Sequence, residues 1–89
     1  MKLNDKFLIH STDNGDILVP VEEETKNFHG VVKLNSTGSE IVHLLEKNDL
    51  SLEQVLEHFY LSYPEEDKED IKNAVTAFID KLRGINAIL

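Results

Sequence analysis

The chain has 89 residues, 40% of them apolar and 29% charged, a composition that suits one small globular domain spanning 1–89 and excludes both a disordered chain and a membrane span. Asp and Glu number 17 against 9 Lys and Arg, a formal net charge of −8. That balance disfavours nucleic acid and anionic membrane surfaces, whose phosphates require cations. No cysteine is present, which removes disulfides, thiolate nucleophiles and cysteine-based metal sites together.

The first third reads as strand. Phe7-Leu8-Ile9-His10 and Ile17-Leu18-Val19-Pro20-Val21 are short apolar runs flanking Asn14-Gly15, a dipeptide whose two positions tolerate the positive φ of a tight hairpin turn. An antiparallel hairpin is expected at about 6–21, followed by a polar loop over Glu22–Gly30. Val31-Val32-Lys33-Leu34 then gives a third short strand that ends at Asn35.

Three helices follow. Thr37 and Glu40 have the spacing of a capping box, with Ile41, Leu44 and Leu45 behind them at helical intervals and Val42 flanking. The first helix should stop near Asn48-Asp49. Ser51 and Gln54 form a second box, framed by Leu50 and Val55 as a hydrophobic staple. Leu52, Val55, Leu56, Phe59 and Tyr60 make the buried stripe of the second helix, which Tyr63-Pro64 ends. The third helix, about 67–83, has Glu65, Glu66, Asp67, Glu69 and Asp70 at its start and Lys81 and Arg83 at its end, as the helix dipole prefers. Ile71, Val75, Phe78 and Leu82 are its apolar face, Gly84 is its expected C-cap, and the apolar tail Ile85–Leu89 should pack on the core. The order β-β-β-α-α-α predicts an α+β domain, a three-stranded antiparallel sheet followed by three helices, with a winged-helix-like shape.

No residue pattern carries chemistry. His10, His29, His43 and His58 form no HxH or HExxH motif, and the acidic start of the third helix lacks the alternation and mid-loop glycine of a calcium loop. Ser36, Ser39, Ser51 and Ser62 have no nucleophile elbow, and Gly15, Gly30, Gly38 and Gly84 are too isolated for a phosphate loop. A phosphopantetheine carrier would need an aspartate directly before its serine, whereas Asp49-Leu50-Ser51-Leu52 separates the two. No cofactor, metal or enzymatic activity is expected. With no apolar stretch of signal-peptide length at Met1–Asp5, the expected location is cytoplasmic. A nucleic-acid-binding regulator is the alternative that a helix-turn-helix shape permits. Its recognition helix would present Glu65 to Asp70 to phosphates, which charge opposes.

The run Val32-Lys33-Leu34-Asn35-Ser36-Thr37-Gly38-Ser39-Glu40-Ile41 resembles the strand-to-helix "LNxTGxxI" stretch of the pyrroloquinoline quinone biosynthesis protein D family, the PqqD-like proteins. Leu52-Glu53-Gln54-Val55, Tyr63 before an acidic stretch, Asp70-Ile71, Phe78-Ile79-Asp80-Lys81-Leu82 and Gly84-Ile85 are similar in the same order, so the resemblance covers about Phe7 to Leu89. The loop Glu22–Gly30 is longer and more polar than in compact members. The resemblance implies a non-catalytic recognition element that binds the leader of a ribosomally made precursor peptide and delivers it to a modifying enzyme, often a radical S-adenosylmethionine enzyme. The expected mechanism is strand addition along Val31, Val32, Lys33 and Leu34, a sheet edge that could equally pair two copies of the chain. The third helix supplies the groove wall, through Phe78 and the flank Asp70, Ala74, Ala77 and Lys81, where alanines allow close approach. The opposite flank is the alternative wall.

Overall fold

The computed structural model of the protein describes residues 1–21 and 31–89. The loop expected at Glu22–Gly30 lies outside the described residues. Strands β1 (Phe7–Thr12), β2 (Gly15–Pro20) and β3 (Val32–Lys33) form an antiparallel sheet in the order β1-β2-β3, and helices α1 (Ser36–Lys47), α2 (Leu52–Ser62) and α3 (Lys68–Gly84) follow. The fold is the expected α+β arrangement of three strands and then three helices. The third strand is shorter than the four residues read from its apolar run, because only Val32 and Lys33 register with Leu18 and Ile17 of β2.

The hairpin turns differently from expectation. Thr12 pairs with Gly15, so the turn residues are Asp13 and Asn14, and of the Asn14-Gly15 dipeptide only Gly15 takes a positive φ, +114°. The Thr12 hydroxyl accepts from the Asn14 N–H at 3.2 Å and donates to the Gly15 carbonyl at 2.6 Å, bracing the turn from within.

One sheet face is apolar and covered by the helices. Phe7 and Leu18 are buried from the hairpin, as are Val32 and Leu34 around β3. From the helices come Ile41, Val42 and Leu45 of α1, Val55, Leu56 and Phe59 of α2, and Val75, Ile79 and Leu82 of α3. Each fully buried side chain of this size contributes roughly 1.5–3 kcal/mol. Two faces are rotated from the sequence reading. Val42 is fully buried while Leu44 is only partly so, and Ile79 takes the inward place expected of Phe78, which is half-buried.

Helix ends follow local chemistry with two corrections. Ser51 and Gln54 form the reciprocal capping box of α2, at 3.1 and 2.9 Å. At α1, however, Asn35 is the cap and accepts from the Gly38 N–H at 2.7 Å, so Thr37 lies inside the helix. Asn35-Ser36-Thr37 offers three consecutive cap-competent side chains, and the first is used. At the end of α3, Gly84 is the last helical residue rather than the cap, and Asn86 supplies the positive φ of 61°. The tail packs as expected up to its last residue. Ala87 and Ile88 are buried, Ile88 bridges to Leu3, and Leu89 is exposed.

Candidate functional site

The site is assembled where β3 meets α1 and α3. In an antiparallel pair the opposed residues alternate between bonding across the pair and facing away from it. The Leu34 N–H donates to the Asp16 carbonyl at 3.0 Å. Alternation therefore aims the Val32 N–H at Leu18 and turns the Lys33 N–H and C=O outward, away from β2. Among the described residues no strand lies on that outer side of β3. Val31 and Lys33 are exposed, whereas the Val32 and Leu34 side chains point into the core. Of the four residues expected to form the edge, two carry it and two anchor it.

Beside the end of β3 runs a trough made of two adjoining clefts. One, of about 330 Å³, is lined by Asn35, Thr37, Ala74, Ala77, Phe78 and Lys81. The other, of about 380 Å³, is lined by Ser36, Thr37, Phe59, Tyr63, Glu66, Asp70, Ile71, Ala74 and Val75. They share Thr37 and Ala74. The helix-three flank Asp70, Ala74, Ala77, Phe78 and Lys81 is thus brought together along one trough, at the helical spacing that suggested it. Gly38 makes the wall possible. A Cβ at that position would lie 2.7 Å from Phe78 Cζ, so only glycine lets the ring rest against α1. Asn35, Thr37, Tyr63 and Glu66 were not expected here. Asn35 and Thr37 carry a sequence signal only as capping residues, and nothing local in the sequence places Tyr63 beside Thr37.

Tyr63, which lines the second cleft, belongs to a hydrogen-bonded triad. Glu40 of α1 accepts from the Tyr63 hydroxyl at 2.6 Å, and its other oxygen lies 2.6 Å from His58 Nε2. Tyr63 stacks on Phe59 with ring centroids 5.9 Å apart. Partial burial pushes the Glu40 carboxyl up, but the bonds from Tyr63 and His58 outweigh it and hold the group below its ordinary range. The same bond raises the Tyr63 hydroxyl above 10.0. A second cluster ties the hairpin to α1: Asp16 accepts from Ser39 and from Ser11, the latter at 2.8 Å, and lies 3.2 Å from His43 Nε2. The bonds from Ser39, Ser11 and His43, in that order, hold Asp16 below its usual value. Ser39 donates to the carboxylate and not to His43, so the cluster lacks the hydroxyl-to-imidazole link that activates a nucleophile. Both histidines have carboxylate partners rather than being simply solvated. Among the described residues no group of three His, Asp or Glu is placed to hold a metal ion.

The match to known families decides the assignment. Residues 17–88 match the family described as Coenzyme PQQ synthesis protein D (PqqD). The chain belongs to the PqqD family. The matched span begins within β2 and takes in β3 and all three helices, and with them every residue of the trough. The PqqD family consists of accessory proteins of coenzyme PQQ synthesis, which work alongside the other proteins of that synthesis. No curated protein and no solved structure matches the chain significantly. Among the described residues of this PqqD protein, no helix is long and apolar enough to cross a membrane.

Proposed function

We propose that this PqqD-family protein is a non-catalytic recognition element that captures the leader of a ribosomally made precursor peptide and presents it to a modifying enzyme of the radical S-adenosylmethionine type. The observation that carries this reading is the outward-turned backbone of Lys33 on an edge strand that ends at a trough lined by both apolar and polar side chains. An extended peptide adds as a fourth strand, exchanging hydrogen bonds with Lys33 and Val31. Each such bond is worth only about 0.5–1.5 kcal/mol net, too little for several of them to outweigh the cost of association. Peptide side chains seated against Ala74, Ala77 and Phe78 supply the remainder, at roughly 25 cal/mol per Å² of apolar surface buried.

The test is an amide-resolved NMR titration of the labelled protein with synthetic leaders drawn from short reading frames neighbouring its gene. Binding should move the amides of Val31, Lys33, Ala77 and Lys81 first, and protect the Lys33 amide from exchange. A bound leader that leaves these amides untouched would overturn strand addition.

A further inference from the structure

The trough has opposite charges at its two ends. Asp70 and Glu66 line one end and Lys81 the other, with the uncharged Ala74 and Ala77 between them. From Asp70 to Lys81 the helix rises about 16 Å at 1.5 Å per residue, which matches about five residues of extended chain at about 3.3 Å each. The lining also fixes the relative direction of the two walls. Asn35, just after β3, lines only the first cleft, with Ala77, Phe78 and Lys81, and Ser36, the next residue along the chain, lines only the second, with Asp70 and Ile71, while Thr37 lines both. The chain from β3 into α1 therefore runs opposite to α3.

On the footing that a peptide adds to β3 as proposed above, we infer that this protein selects a leader of defined charge polarity: a basic residue at the N-terminal side of the bound segment and an acidic residue about five positions later. Antiparallel addition is the more stable ladder. A strand antiparallel to β3 runs parallel to α3, so its N-terminal side meets Asp70 and Glu66 and its C-terminal side meets Lys81. Each contact is a partly exposed ion pair and modest alone. Reversing the peptide's charges exchanges two attractions for two repulsions, so the preference is larger than either pair. The overall charge of −8 favours any cationic peptide at long range. It does not distinguish two peptides of equal composition, which isolates polarity as the measured quantity.

The experiment uses three capped, fluorescein-labelled octapeptides built on one alternating Thr/Val centre. The first has two Lys at the N-terminal end and two Glu at the C-terminal end, the second has these exchanged, and the third carries Gln at all four positions. Fluorescence anisotropy should give the Lys-first peptide about tenfold tighter binding than the Glu-first peptide, with the Gln peptide between them. The preference should vanish in 1 M salt. The exposed-site variant E66Q/D70N/K81Q should bind all three alike, and E66K/D70K/K81E should invert the order. Equal binding of the Lys-first and Glu-first peptides, with the Gln peptide also bound, would overturn the polarity and leave strand addition standing. Failure of all three to bind would overturn strand addition and the polarity with it.

Discussion

Gly38→Ala measures how closely α1 and α3 approach at the trough wall. In an exposed helix interior this change stabilises by about 0.8–1 kcal/mol, because alanine is the better helix former. Here the new methyl would stand 2.7 and 2.8 Å from two ring carbons of Phe78 and 3.1 Å from Asn35 Oδ1. Ordinary contact begins near 3.4 Å, so the ring has to withdraw and the cap of α1 is pressed at the same time. Overpacking of this kind costs roughly 1–3 kcal/mol, and a disturbed cap adds up to about 1 kcal/mol. The net expectation is destabilisation by about 1–2 kcal/mol. A domain of this size loses about 4–8 °C of Tm for each kcal/mol, so thermal unfolding followed by circular dichroism resolves the effect. The control is the same substitution in a Phe78→Ala background, where the ring is gone and only the 3.1 Å contact with Asn35 Oδ1 remains, so Gly38→Ala should cost distinctly less than in the natural protein. A rise in Tm for Gly38→Ala in the otherwise unchanged protein would refute the close-approach argument.

Other substitutions test the edge, the cap and the triad. Lys33→Pro removes an outward N–H and should weaken leader binding about two- to tenfold while the fold persists, whereas Val32→Pro removes the donor aimed at Leu18 and should lower Tm sharply; Lys33→Gln, which keeps the N–H, separates backbone from charge in the same titration. Asn35→Ala should cost about 0.5–2 kcal/mol and Thr37→Ala less than about 0.5, a difference that chemical denaturation reads directly. Because the folded Glu40 carboxyl titrates below its ordinary value of 4.5, its contribution is complete above that value and is lost as pH falls through the lower, folded one. The Tm difference between the natural protein and Glu40→Gln should therefore shrink on acidification from pH 6 to pH 3, and a constant difference would refute the triad's role.

Much of the architecture is legible locally. The Ser51/Gln54 box needs only residues three apart; helical spacing puts Asp70, Ala74, Ala77 and Lys81 on one flank, while which flank of the third helix faces the groove is not written in the spacing. The family was likewise readable from the strand-to-helix run at 32–41, which lies within the matched span. What the sequence conceals is set by distant partners. Asn35 rather than Thr37 caps α1 in the same turn where Phe78 presses on Gly38 from forty residues away in the chain. Phe78 leaves the core to Ile79 because its ring has that glycine to lie on. The tight turn uses Asp13-Asn14, since Thr12 and Gly15 already satisfy one another. Glu40, read as a capping residue, is drawn instead to His58 and Tyr63 on the next helix.

Residues 2–4 and 86–89 are zipped together. Asn4 donates to Ala87, and Lys2 and Leu89 bond each other through both their backbone groups. This seam lies beside Leu45 and Asn48, at the opposite end of α1 from Ser36 and Thr37, about 18 Å away along a helix of 12 residues. Any polypeptide spliced before residue 2 or after residue 89 therefore departs from the same spot, on the far side from the trough. The unit can be hung from a larger machine, or grafted into one of its surface loops, with its mouth left open.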